Sequence, residues 1–229
     1  MVSIDTVYQR VLAIANKEQR GYITPQEFNL LANQAQMAIF NNYFSEMNQI
    51  TLLPGNETEY SDAEKTLNEK ISIFKKVDTS LIKSGSFFKY PNDMYKLGTL
   101  YYVPSSLSED DSVEIQEIDY DEFLDYNQSP LTNPDRSHPL YIRREEGIRI
   151  FSTPAIASGV VASYIRRPSK VEWGYVVVNE QALYNASSTD NFELHASEEV
   201  SLVTGILGLA GVVIQRQDLM AVGGGQQQA

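Results

Sequence analysis

The chain contains no cysteine. Disulfides, thiolate metal sites and cysteine nucleophiles are thereby excluded together, and the composition is compatible with assembly in a reducing cytoplasm. Histidine is nearly absent, with His138 and His195 the two present. His138 sits in a loop between Ser137 and Pro139, and His195 just ahead of a helix start. Both read as exposed polar or capping side chains rather than general bases. The nucleophile-elbow, zinc-protease, P-loop and dinucleotide-binding motifs are all missing, so the sequence indicates no enzyme, no cofactor and no metal. Long hydrophobic runs are missing too. The longest is Val200 to Ile214, 15 residues, against the ~20 that span a bilayer. It reads as a helix buried on most faces, with no membrane partner, and Met1 to Ala15 shows no signal-peptide pattern. Basic charge is scarce: 18 Lys and Arg against 30 Asp and Glu leave a net charge of −12. Such an average surface does not grip nucleic acid, although it can line a channel through which nucleic acid passes.

The chain, 229 residues long, holds one generous domain or two small ones. Ile4, Val7, Tyr8, Val11, Leu12 and Ala15 repeat at helical spacing, so a first amphipathic helix begins at Ser3 and stops before Gly21. A second opens on a capping box, Thr24 at N-cap and Glu27 at N3, with Pro25 at N1 and Ile23 and Phe28 as a hydrophobic staple. Its apolar face runs through Leu31, Ala35 and Ile39 to about Met47. Asn16 to Glu27 imitates an EF-hand loop with Gly21 and Glu27 at positions six and twelve, but Arg20 at position five repels calcium. A turn between helices explains the same residues. Ser61 with Glu64 forms a further capping box, for a third helix ending near Val77 at Lys75 and Lys76.

Strands are expected at Ser86–Tyr90, Lys96–Val103 and Val113–Ile118, with a turn at Tyr90–Asp93. Asp119 then caps a short acidic helix on Tyr120, Phe123 and Leu124, followed by a loop over 131–139. Three consecutive strands follow, PLYIRRE, GIRIFSTP and GVVASYIRRP, read from their period of two and their bounding turns. Gly174 to Val178 reads as a final edge strand, and 179–192 as irregular. Ser197 is the expected N-cap of the last helix, with Glu198 and Glu199 in its first turn. Residues 223–229 form a flexible tail.

Pro139, Tyr141, Gly147, Ile148, Ile150, Pro154, Val160, Tyr164, Arg166 and Pro168 together form a run that resembles the sheet of head-to-tail adaptor proteins. These are the connector-ring, tail-tubular-like proteins of short-tailed double-stranded DNA bacteriophages. The strand, short acidic helix and proline-bounded loop ahead of it, and the closing helix after it, match that family in order. The recognisable motif covers about 35 residues. The resemblance implies an α+β fold in which N-terminal helices and a returning C-terminal helix form a bundle, with an antiparallel β domain inserted between. The expected divisions are 1–84, 85–180, 181–222 and the tail at 223–229. It also implies a virion structural protein, not an enzyme, assembled in the host cytoplasm. The protein would form a homo-oligomeric ring, twelve-fold in the family, between portal and tail. Its partners would be itself, the portal protein, the next tail ring or nozzle, and DNA passing through during ejection without sequence-specific binding. Another ring or stopper of the same tail, or a β-rich tail binding module, are the alternatives.

Gly205, Gly208 and Gly211 recur in the last helix, where each glycine costs about 0.5–1 kcal/mol relative to alanine. Close approach to another helix, in its own bundle or in a neighbouring subunit, would compensate, which makes them candidate subunit-interface residues. Arg166 and Arg167 are the other candidates. They and the earlier doublet Arg143 and Arg144 offer either phosphate binding or pairing with the acidic segment Glu109–Asp125 of the same or the next subunit. In a chain of net charge −12 the pairing is the expectation. The carboxylates of that segment could instead bind a hard cation, but a solvated loop and strand edge accounts for them.

Overall fold

The computed structural model describes residues 1–17, 23–52, 58–78, 81–104 and 112–213. The tail, the EF-hand-like loop core and Glu109–Asp111 lie outside them. The fold is α+β. Two compact units appear: Met1–Ile73 with Pro168–Ala229, and Phe74–Arg167. The breaks therefore fall at 73/74 and 167/168 rather than at 84/85 and 180/181. The physical reason is that the chain enters the sheet sooner, and leaves it sooner, than helix and strand patterning implied.

The helical unit is built from α1 (Ile4–Lys17), α2 (Pro25–Leu52), α3 (Thr58–Ser72) and α5 (Glu199–Val213). α1 buries Ile4, Val7, Tyr8, Val11 and Ala15, the expected stripe. The capping box that opens α2 forms: the Thr24 backbone N–H donates to Glu27 Oε2 at 2.9 Å, and the Glu27 N–H donates to Thr24 Oγ1 at 3.2 Å. Ile23 and Phe28 are both buried, as a staple requires. The buried stripe of α2 runs through Phe28, Ala32, Ala35, Phe40 and Tyr43, which leaves Leu31, Ile39 and Met47 on its margins. α3 starts three residues before Ser61, so that serine lies inside the helix and not at its cap. The helix also ends at Ser72, because Phe74 is fully buried and Lys75–Asp78 turns into a strand. α5 returns to pack on α1 and α2.

The β unit carries β1 (Lys75–Asp78), β2 (Lys83–Ser84), β3 (Phe87–Phe88), β4 (Met94–Tyr102), β5 (Val113–Glu117), β6 (Leu140–Arg144), β7 (Gly147–Phe151) and β8 (Val160–Arg166). Their order across the sheet is β1-β8-β4-β5-β6-β7-β3-β2. β1 and β2 are consecutive in sequence yet occupy opposite ends. Seven strand spacings would part the ends of a flat sheet by about 34 Å, whereas the five steps from Asp78 to Lys83 reach at most about 18 Å. The sheet must curl enough to bring its ends within that reach, although β1 and β2 are not hydrogen-bonded to each other. Leu81, just ahead of β2, donates its N–H to the Val160 carbonyl of β8 at 3.2 Å. Inside the curl pack Phe88, Leu97, Leu100, Ile115, Tyr141, Ile148, Val160, Ala162 and Tyr164. Gly147 (φ +141°) and Gly159 (φ +78°) make the tight returns, where a side chain would run into the carbonyls of Phe88 and Val103 respectively.

The β unit is not purely antiparallel. β5 and β6 run parallel, with Glu117 opposite Tyr141, because α4 (Tyr120–Gln128) carries the chain back across one face. Leu140 and Ile142, pointing away from the barrel interior, are covered by Phe123 of α4 and by Phe151. Asp119 occupies the N-cap position of α4, but its side chain makes no capping bond.

The strand expected at Gly174–Val178 forms, while part of 179–192, expected to be irregular, becomes a second strand paired with it. β9 (Tyr175–Val178) and β10 (Gln181–Tyr184) form a hairpin of the helical unit. Asn179 (φ 50°) and Glu180 (φ 63°) supply its two-residue turn, the positive-φ geometry that suits the twist of a hairpin.

Candidate functional site

The two histidines are held by local hydrogen bonding. His138 Nδ1 lies 3.6 Å from Asp135 Oδ1 on a side chain 89% exposed. The Asp135 carboxylate instead accepts the backbone N–H groups of His138 (2.7 Å) and Ser137 (2.8 Å). The first of these chiefly holds the Asp135 carboxyl below the usual carboxylate range. His195 Nδ1 accepts the Ser197 N–H at 3.3 Å and caps the 3₁₀ turn Ala196–Glu198. The expected serine cap is thus replaced by a histidine one, two residues earlier. Among the described residues, no three His, Asp or Glu side chains are grouped as metal ligands. None of their helices is long and apolar enough to cross a membrane.

The arginines divide. Arg143 clamps Glu117 with two charge-assisted bonds, Nε–Oε1 and Nη2–Oε2, both 2.6 Å. Tyr141 adds its hydroxyl to Glu117 Oε2 at 2.9 Å. The parallel pairing of β5 with β6 brings these three groups together. Pairing of this doublet with the acidic segment therefore occurs within one chain at Arg143. Arg144 places its guanidinium 5.1 Å from the Tyr120 ring of α4. Arg166 lies 5.7 Å from the Phe74 ring, and Arg167 is exposed. β4 and β5 separate their strand from β6, so the two doublets do not share a patch. Of the acidic segment, Glu114, Glu117, Asp119, Asp121, Glu122 and Asp125 are exposed, while Glu109–Asp111 lie outside the described residues.

At the glycines, a Cβ on Gly205 would meet the Ala35 Cβ of α2 at 3.7 Å, ordinary contact. The close neighbour seen there belongs to the same chain. A spacing of three turns successive glycines about 60° around the helix. Gly205 and Gly208 accordingly remain half-exposed while Gly211 is buried.

Two arrangements carry interaction chemistry that sequence reasoning missed. The first is an amide ladder on α2. Asn33 Nδ2 donates to the Val171 carbonyl at 2.8 Å, and Asn33 Oδ1 accepts the Val171 N–H at 3.0 Å. Asn29 Oδ1 accepts the Trp173 N–H at 2.8 Å, and Gln36 Nε2 donates to the Ser169 carbonyl at 2.8 Å. Amides at i, i+4 and i+7 thus act as a strand edge for extended residues 169–173. That polar spacing was the available signal. The ladder seats Trp173, buried, with its indole N–H on Asp5 Oδ1 at 2.9 Å and its ring 4.2 Å from that of Tyr8.

The second is the β9–β10 hairpin beyond Trp173. Val176 (50% exposed) and Leu183 (50%) pair on one face, while Val177 (62%) opens on the other. Tyr175 and Tyr184 at its base stack near Trp173. Two-stranded ribbons are marginal in water by themselves, and this one leaves apolar side chains open on both faces.

No protein-family model matches the chain, and no curated protein matches it in sequence.

Proposed function

We propose that the chain is a virion structural protein, the subunit of an oligomeric ring between portal and tail that extends the DNA channel and offers a platform for tail attachment. The observation that carries this reading is the hairpin, whose Val176, Val177 and Leu183 are uncovered. Exposed apolar groups on a ribbon with free edges call for a protein partner. A hairpin of one subunit resting on a different surface of the next makes a head-to-tail contact, which closes into a ring where the rotation between subunits divides the full turn. The resemblance of residues 139–168 to adaptor sheets supplies the class. The net charge of −12 supports a channel wall that passes DNA without holding it. The reading assigns the protein no catalysis and no cofactor, and it places the protein in the neck of the particle after assembly in the host cytoplasm.

The test replaces Val177 and Leu183 together by aspartate. Native mass spectrometry, with and without portal-bearing particles, should show rings for the parent chain and monomers for the variant, at unchanged far-ultraviolet circular dichroism. A parent chain that stays monomeric even with portal present refutes the reading. So does a cryo-electron map that places it away from the portal–tail junction.

A further inference from the structure

A cleft of about 320 Å³ opens on the β unit between the β2–β3 turn, α4 and β7. Phe123, Ile150 and Phe151 give it an apolar side, and the basic residues Lys83 and Arg149 are among those lining it. In a chain with twelve surplus negative charges, several cations among the described residues still stand without a carboxylate, and these two line the same cleft. Arg10, Lys70, Lys76 and Arg143 each hold a carboxylate within 2.9 Å. Among the described residues, neither Lys83 nor Arg149 has one within ion-pair reach.

Their remaining hydrogen-bonding capacity is correspondingly large. Lys83 donates one N–H to the Ile156 carbonyl at 2.9 Å and lies 5.4 Å from the Phe88 ring. Two ammonium N–H groups are left. Arg149 places its guanidinium 5.0 Å from the Phe151 ring, and its side chain makes no hydrogen bond among the described residues, so its planar donor fork is unspent. Asn127, Asn133 and Ser86 add neutral donors at the same cleft. The cation–π contact with Phe151 orients the guanidinium, which lowers the entropy lost when it engages a ligand.

We propose that this cleft binds an oxyanion, a carboxylate or phosphate group, whose carrier rests an apolar portion on Phe123 and Phe151. The donors suit either group, and two sources are at hand: a free small anion, or an acidic segment from a second copy such as the run Glu109–Asp111. The site stands whether or not the chain forms a ring.

Calorimetric titration of the full chain distinguishes the sources, one arm using inorganic phosphate and the other a synthetic peptide of residues 106–113. Binding in the phosphate arm identifies a free anion, and tighter binding in the peptide arm identifies the segment. In either case Lys83→Gln and Arg149→Gln should each weaken binding about tenfold, the worth of a charge-assisted bond. Arg149→Lys should retain more of it than Arg149→Gln, and Lys96→Gln, at an exposed position of β4 elsewhere in the unit, should change nothing. The proposal is overturned if neither probe binds, or if binding survives in both cleft variants, or if Lys96→Gln weakens it equally.

Discussion

Replacing Lys70 by methionine is expected to destabilise the helical unit more than replacing its partner Glu198 by leucine. Lys70 Nζ on α3 meets Glu198 Oε1 at 2.6 Å, with the glutamate side chain 9% exposed and the lysine 23%. Removing one partner of a fully buried pair costs about 3–5 kcal/mol, since the other charge stays desolvated. Lys70→Met strands the deeper charge and should fall within that range. The carboxylate would also remain near the buried Tyr43 hydroxyl, which makes no well-directed hydrogen bond. Burial, and then the Glu198 charge, already push the Tyr43 phenol far above its ordinary value. Glu198→Leu strands a lysine that can swing its ammonium toward water, so about 2–3 kcal/mol is expected after that discount. Part of that is the loss of a negative charge near the start of α5, about 0.3–1 kcal/mol. The double variant should recover to within about 1 kcal/mol of the parent, giving a coupling of about 4 kcal/mol or more, above the roughly 0.5–3 kcal/mol usual for contacting residues. Urea unfolding followed by tryptophan fluorescence reads this unit directly, because Trp173, the chain's one tryptophan, lies in it. Additive single effects, or a larger loss from Glu198→Leu than from Lys70→Met, would refute the reasoning.

Asn33→Ala removes the partners of both the Val171 N–H and the Val171 carbonyl and should cost about 2–3 kcal/mol. Asn33→Asp keeps the acceptor but turns a carboxylate oxygen on the Val171 and Asn29 carbonyls that Nδ2 now serves, and should cost at least as much at neutral pH; urea midpoints by Trp173 fluorescence check both. The Asp93, Lys76 and Tyr164 cluster should give the β unit a pH-bounded plateau of stability. The hydrogen bond from Lys76 (2.9 Å), ahead of that from Tyr164 (2.9 Å), holds Asp93 below its ordinary 3.8. Its contribution is present above 3.8 and lost as pH falls through the lower folded value. Lys76 is raised above 10.5, chiefly by Asp93, and Tyr164 above 10.0, chiefly by burial. Both contributions are full below those values and are lost as pH rises past them. In Asp93→Asn the acid-side loss should flatten in melts followed by tyrosine near-ultraviolet circular dichroism; an unchanged acid limb would contradict the assignment.

The helices were legible where one short signal did the whole job. Thr24, Pro25 and Glu27 state a helix start in four residues, and the α1 stripe needs nothing beyond its own spacing. β6, β7 and β8 were legible for the same reason, since their alternation is local. Misreadings arose where a local signal lost to a distant partner. Lys75 and Lys76 look like a helix terminus, but the burial of Phe74 and the pairing of Val77 with Ser163 make them a strand. Asn179–Glu180 lacks the glycine that announces a hairpin, so the turn became visible only through its positive φ angles. The acid-to-arginine pairing was anticipated as a class. Its choice of Arg143 and Glu117 depends on a parallel register that no nearby residue specifies.

Curling of the sheet follows from that same long-range logic, and it also explains where interaction chemistry is left over. β1 and β2 remain the unpaired ends of the sheet but span only four and two residues, so the β unit offers side chains more than backbone to a partner. The unpaired cations Lys83 and Arg149 are what it presents at the β2–β3 end. The β9–β10 ribbon, outside the curled sheet, keeps both outer edges and its valines free. Backbone-edge and apolar recognition therefore belong to the helical unit's hairpin, and ionic recognition to the β unit's cleft. Salt should separate them: raising ionic strength weakens anion binding at the cleft while leaving hairpin-mediated association intact or strengthened. Parallel loss of both with added salt would place the two contacts on one ionic surface and contradict this division.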